Sequence, residues 1–157
     1  MGMLSIFAAV LAALALLLNG VMAGIFYAFS NSVMPGLNAV DPAQAPTVMR
    51  SINRKILNPG FLPVFTLSPL ASAGAGLLLL LDGQTAAATW FFAAGVVYAL
   101  GAFLPTAALN VPMNNALDAD RLDWAAYSPR WTRWNTVRAA ASVAALLLIG
   151  AGLYVWR

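Results

Sequence analysis

At 157 residues, 62% hydrophobic and only 8% charged, with a mean hydropathy of +0.81, the chain cannot cover a folded surface with water-facing groups, since a soluble domain devotes roughly a quarter of its residues to charge. It carries eight cationic and five acidic residues for a net charge of +3, has no histidine or cysteine, and all its acids are aspartates. Those absences exclude a Ser–His–Asp triad, a nucleophilic thiol, a redox dithiol and the usual ligands of zinc, copper, haem and iron–sulfur centres, leaving aspartate, amide and carbonyl oxygens for hard cations.

Four apolar runs, at 4–29, 61–81, 85–109 and 134–156, are predicted to cross a bilayer as helices, each near or above the roughly 20 residues that a hydrocarbon core about 30 Å thick requires. The expected fold is all-α: a four-helix transmembrane bundle with short interfacial helices in the first and third connections, forming one domain over 1–157. The first run reads as a retained helix and not a secretory signal. Residues 1–4 have no basic side chain, the apolar stretch exceeds an h-region of about 7–15 residues, and no small-residue cleavage site follows. Asn19 is its deepest polar residue, and an interhelical hydrogen bond worth about 0.6 kcal/mol is the simplest role for it. Gly20, Ala23 and Gly24 favour close packing around it.

In the first connection, Asp41-Pro42 has the form of an N-cap followed by a proline at the first helical position. A helix over 42–57 follows, with Val48, Ile52, Ile56 and Leu57 on one face. The Asp82-Gly83-Gln84 turn makes the second and third spans antiparallel neighbours. The small residues of 71–76 offer a close-packing face, best used inside one bundle, although a purely structural role as an assembly subunit would use it too. In the last connection a helix over 118–127 is expected, ended by Pro129. Trp131, Trp134, Tyr154 and Trp156 sit where amphipathic rings prefer the headgroup region.

Arg50, Arg54 and Lys55 lie in the first connection and Arg121 and Arg130 in the last, with Arg133 and Arg138 just beyond, whereas the middle turn has no cation. Short loops rich in Lys and Arg stay cytoplasmic, so both long loops are expected on that side and the termini opposite. Orientation thereby accounts for the positive charge; with no reader motif or basic patch interleaved with aromatics, no nucleic-acid partner is expected. The segments Asn31-Ser32-Val33-Met34-Pro35 and Asn110-Val111-Pro112-Met113-Asn114 form a weak internal repeat, as if two hairpins were related about an axis along the membrane normal.

An even number of crossings puts both long connections on one membrane face. Asn31, Asn53, Asn58, Asn110, Asn114 and Asn115 can therefore converge at one mouth of the bundle. Asn135 and Arg138 share a helical face there, with Trp131 and Trp134 one turn earlier. Arg138 lies a turn or more inside its span, which makes it the leading candidate to meet an anionic ligand atom or a buried carboxylate. The competing reading has Arg138 snorkelling to the interface and the asparagines capping helix ends.

The segments Phe26-Tyr27-Ala28-Phe29-Ser30-Asn31-Ser32-Val33-Met34-Pro35, Ser51-Ile52-Asn53, Asn58-Pro59-Gly60-Phe61, Asn110-Val111-Pro112-Met113-Asn114 and Trp131-Thr132-Arg133-Trp134-Asn135-Thr136-Val137-Arg138 together resemble the anthrone oxygenase-like membrane family, in order and over nearly the whole chain. The resemblance implies a four-span protein, a bacterial inner-membrane location, and, for the members with a role, oxidation of polyketide anthrones to anthraquinones without a conventional metal or flavin. Within that frame, Asn135 and Arg138 are the candidate catalytic residues, holding a developing oxyanion. Asn31, Asn53, Asn58, Asn110 and Asn114 would bind substrate hydroxyls, and Trp131 and Trp134 would cover an aromatic substrate. A general base is missing. The nearest carboxylates, Asp118, Asp120 and Asp123, lie in a loop, and Tyr27 or Tyr127 would need a strongly lowered pKa. Two readings follow: a cofactor-independent oxygenase of a hydrophobic aromatic small molecule, or a non-catalytic protein that binds or transports lipids or small molecules. Membrane lipids are partners in both.

Overall fold

The computed structural model of the chain describes residues 2–156, one residue short of the expected domain at each end, and is all-helical. Five continuous helices are present among the described residues: α1 (Met3–Ala39), α2 (Ala45–Lys55), α3 (Leu62–Leu81), α4 (Thr85–Asp118) and α5 (Trp124–Val155). All but α2 are long and apolar enough to cross a membrane, as the composition requires. α1 packs against α3 and α5, and α4 packs against the same two, so α1 and α4 occupy opposite corners of a square bundle.

The core is made of small side chains. α1 turns Ala8, Ala12, Ala15, Met22 and Phe26 inward, a stripe of helical period. Large aliphatic residues such as Leu17, Leu70, Leu100 and Leu147 face outward, where lipid accommodates them. Ala71, Ser72, Ala75 and Gly76 face the interior of this bundle. Asn19 donates to the Ala15 carbonyl at 2.8 Å and to Ser72 Oγ at 3.3 Å, the interhelical bond expected of it. Gly83, at φ +78°, makes the tight turn that brings α3 and α4 together. Ser5 Oγ donates to Asp82 Oδ2 at 2.9 Å, tying the start of α1 to this turn.

Prolines shape the helices more than their local pattern suggests. Three π turns occur among the described residues, Phe29–Val33, Ala99–Phe103 and Thr106–Asn110, and each ends two residues before a proline: Pro35, Pro105 and Pro112. A proline ring collides with the carbonyl four residues back and offers no N–H to it. A widened turn moves that carbonyl aside, so the helix continues. The predicted ends of the first and third spans, near 29 and 109, are therefore too early: α1 runs on to Ala39 and α4 to Asp118. In α3, Pro69 leaves the Phe65 carbonyl without its helical donor, and the Tyr98 hydroxyl supplies one at 3.1 Å. Matching Pro35 to Pro112 also shifts the internal repeat, with Val33, not Asn31, in the place of Asn110.

Two other expectations need correction. No separate helix covers 118–127: α4 ends at Asp118, the turn contains Asp120 at φ 53°, and α5 starts at Trp124, where Asp123 Oδ1 caps it by accepting from Ala126 N at 2.8 Å. Pro129 does not end this helix, because in the second turn it deprives only the exposed Ala125 carbonyl. Asp123→Ala is expected to destabilise the fold by about 1 kcal/mol, measurable as a lower unfolding midpoint in detergent micelles. Likewise α2 starts at Ala45, because Asp41 accepts from Ala43 N and Gln44 N and closes a turn instead. Its buried face is Ala45, Met49 and Ile52, leaving Val48 and Leu57 exposed.

Helix length positions the site. α1, α4 and α5, with 37, 34 and 32 residues, reach about 48–55 Å, whereas α3, with 20, reaches only about 30 Å. Three helices thus extend past the shorter α3 on the side of the long connections. α2 fills the quadrant above α3, joining Met34, Leu37, Leu117, Tyr127 and Trp131 in a second hydrophobic cluster.

Candidate functional site

A cavity of about 230 Å³ lies where these two clusters fail to meet, beneath α2 and above the start of α3. Its walls are largely apolar and aromatic: Phe26 and Phe29 of α1, Ile52 and Leu57 from α2 and the link that follows it, Phe61 ahead of α3, and Trp131 of α5. Polar side chains enter from the long helices, Thr106, Asn110 and Asn114 along one face of α4 at four-residue spacing, Asn135 and Arg138 from α5, and Asn53 from α2.

Arg138 is the centre of the arrangement and is only 5% exposed. Its Nη1 donates to Thr106 Oγ1 at 3.0 Å and its Nη2 to Asn135 Oδ1 at 2.8 Å, while its Nε has no partner. The guanidinium carbon lies 4.5 Å from the Phe26 ring centre and 5.2 Å from that of Trp131. No carboxylate pairs with it among the described residues, whose ion pairs are Arg50 with Asp120 and Arg54 with Asp118, both at the mouth. Burying an ion costs several kcal/mol even after relaxation, against roughly 1–2 kcal/mol for each desolvated cation–π contact. The two hydrogen bonds to the charged group contribute about 1.5–3 kcal/mol each and with the ring contacts offset much of that cost, and a guanidinium without a carboxylate can still take an anionic oxygen.

The neighbouring amides divide into those that hold Arg138 and those that face the cavity. Asn135 is wholly buried and saturated: Nδ2 donates to the Phe26 carbonyl and to Ser30 Oγ, each at 2.7 Å, while Oδ1 receives Arg138. With its N–H groups committed to α1, it orients the guanidinium and has no donor to offer a ligand. Thr106 acts similarly, donating to the Ala102 carbonyl at 2.8 Å while accepting from Arg138. Asn114 Oδ1 accepts from both the Tyr127 hydroxyl and Trp131 Nε1 at 2.8 Å, which fixes the amide so that its nitrogen is the free end. Asn110 donates weakly to the Trp131 carbonyl at 3.4 Å and leaves a buried Oδ1 unpartnered. Asn53 Nδ2 is buried and has no hydrogen-bond partner. Asn114 Nδ2 is thus the free donor at the cavity, while Arg138 Nε, Asn53 Nδ2 and Asn110 Oδ1 lie buried beside it without hydrogen-bond partners.

Of the residues singled out from the sequence, Asn53, Asn110, Asn114, Trp131, Asn135 and Arg138 line one cavity. Asn31 lies outside it, exposed on the outer face between α1 and α5. Asn58 caps the link into α3, donating to the Lys55 carbonyl and accepting from Gly60 N, each at 2.8 Å. Trp134 is half-buried elsewhere. Thr106, Phe26, Phe29 and Arg50 were missed. Thr106 was legible only as the first member of a Thr106, Asn110, Asn114 stripe, which appears once the helix is allowed to pass Pro112.

Asn135→Leu is expected to cost about 3 kcal/mol or more, because it strands a buried guanidinium N–H and removes the hydrogen bonds to Ser30 and Phe26 that tie α5 to α1. Asn135→Asp should lose less stability by supplying Arg138 with a counter-ion, yet lose binding of an anionic ligand. Unfolding midpoints compared with ligand titrations would separate the two effects.

A family model described as anthrone oxygenase matches residues 56–148, more than half of the chain. That stretch contains α3, α4 and the cavity-facing part of α5, including Thr106, Asn110, Asn114, Asn135 and Arg138. No curated protein and no solved structure matches the chain.

Proposed function

We propose, from the premise that the chain belongs to the anthrone oxygenase family, that its cavity binds a phenolic aromatic of the anthrone kind and holds the oxyanion of that substrate against Arg138 while dioxygen oxidises it. The observation that carries this reading is the buried guanidinium at the cavity, with a free Nε–H and no carboxylate partner among the described residues. Aromatic walls at Phe26, Phe29 and Trp131 suit a flat ring system. The Asn110 acceptor and Asn114 donor suit hydroxyl and carbonyl groups on its edge.

An anthrone loses a carbon-bound proton to give a delocalised oxyanion. Donors placed before reaction lower the barrier to that ionisation without reorganising. The resulting carbanionic carbon reduces dioxygen and forms a C–O bond as a hydroperoxide. Loss of the second proton from that carbon and cleavage of the O–O bond give the quinone carbonyl and one water. Dioxygen is the oxidant, and all the electrons come from the substrate.

The proton acceptor is solvent reached through the mouth. Asp118, the carboxylate that lines the cavity, stands at that mouth and receives Arg54 at 3.0 Å. Thr106 and Asp118 are twelve residues apart along α4, or about 18 Å, too far for Asp118 to take a proton beside Arg138. This distance favours a second reading, ligand binding or transport without turnover.

Oxygen uptake by purified protein in nanodiscs, offered a panel of anthrones and hydroquinones, decides between them. Uptake above buffer with release of the quinone supports the oxygenase. Saturable binding of the same compounds with no uptake would leave a binding or transport protein. The proposed setting is a bacterial inner membrane, with the basic connections and the cavity mouth facing the cytoplasm.

A further inference from the structure

Outside the cavity, α1 and α5 leave a groove along the outer face of the bundle. Its upper part, on the basic side, is bounded by Asn38, Trp124, Ser128, Thr132 and Arg133. The lower part runs between Tyr27 and Asn31 on α1 and Ala140, Val143, Ala144 and Leu147 on α5. Thr136, whose hydroxyl bonds Ser30 Oγ at 2.9 Å, lines both parts, so they adjoin there along the α1–α5 seam. None of these residues lines the cavity.

The groove is graded in chemistry. At its head, Arg133 is exposed and has no ion-pair partner among the described residues. Beside it, the Thr132 hydroxyl is fully buried and also unpartnered. Below Thr136 the α5 wall is wholly apolar, and its alanines keep the groove open. Arg133 and Leu147 are fourteen residues apart on one helix, about 21 Å, which exceeds the ~15 Å from the edge of a hydrocarbon core to its centre. A cation at the headgroup level above an apolar trough one leaflet deep matches an anionic amphiphile.

We propose that this groove holds one anionic glycerophospholipid, its phosphate against Arg133, its glycerol esters near Asn31 and Thr136, and an acyl chain laid along Ala140, Val143 and Leu147. Basic pockets between membrane helices recognise anionic headgroups in this way. The lipid would cover the α1–α5 seam that carries the Asn135 hydrogen bonds to Phe26 and Ser30.

The test uses the full chain in phosphatidylcholine nanodiscs doped with phosphatidylglycerol, followed by mild delipidation and native mass spectrometry. One phosphatidylglycerol is expected to remain in preference to phosphatidylcholine. Arg133→Gln should reduce that preference about fivefold, and Ala144→Leu, which fills the trough, should evict the lipid of either class. Equal retention of the two lipids by the natural protein, or an unchanged preference in Arg133→Gln, overturns the proposal. The chain has no cysteine, so Val143→Cys is a clean reporter. A disulfide-linked dimer formed in the bilayer would show that a second copy occupies the groove instead.

Discussion

Arg138→Gln is expected to reduce oxygen uptake with anthrone substrates by a factor of about 10²–10³, the range seen when one preorganised oxyanion donor is removed. The side chain is shorter and neutral, and it lacks the unpartnered Nε–H. Arg138→Met tests the same residue for stability. It removes a buried charge that no carboxylate among the described residues balances, leaves Asn135 Oδ1 without its donor and puts a flexible apolar chain in place, so the unfolding midpoint is expected to stay nearly level. A protein that loses turnover and keeps or gains stability has Arg138 for its ligand. Loss of stability in Arg138→Met would instead make the guanidinium a structural tie between α4 and α5, through its bond to Thr106.

Gly101→Ala is expected to be among the most damaging single-methyl additions. A Cβ at Gly101 would lie 2.4 Å from the Cβ of Ala141, far inside contact distance and against a side chain that cannot turn away. Overpacking of this kind costs about 1–3 kcal/mol. Because α4 and α5 also carry the Thr106–Arg138 and Asn110–Trp131 contacts, forcing them apart should weaken ligand binding along with the fold. The compensating change Ala141→Gly, made together with Gly101→Ala, should restore both. A denaturant titration of the single and double variants measures the effect, and an additive double variant would show that the two positions do not meet.

The sequence was most legible where a residue's own chemistry sets its environment. Four apolar runs can only be membrane helices, and Asp82-Gly83 can only be a tight turn. A polar residue as deep as Arg138 or Asn19 must find a partner inside the bundle. That requirement, with the even count of crossings, is enough to bring Arg138, Asn135, Asn110 and Asn114 toward one mouth. The resemblance over the chain pointed to the family that the match over 56–148 shows.

Helix ends were less legible, because Pro35 and Pro112 read locally as terminators, whereas the chain absorbs both, and Pro105 as well, in π turns. From that misreading came the short spans at 29 and 109 and the unseen Thr106 stripe, and reading Pro129 the same way misplaced a helix at 118–127. Asparagine was ambiguous for another reason. The same amide caps a turn at Asn58, faces the outer groove at Asn31, orients a guanidinium at Asn135 and faces the cavity at Asn114. One residue type serves all four, since an amide has both a donor and an acceptor and takes its role from whatever lies opposite.

By itself, then, the sequence determined the membrane class of this protein, its four spans, the side on which its cations gather and the short inventory of groups able to do chemistry. These follow from hydropathy and composition, which each residue carries wherever it is placed. Only the tertiary structure decided that three long helices overreach a short one, that α2 roofs the gap, and that Arg138 sits beneath it without a carboxylate partner among the described residues. Those facts depend on distances between helices, which are set by alanine and glycine contacts such as Gly101 with Ala141 and by the turns that prolines widen, and no local pattern encodes the sum of such contacts.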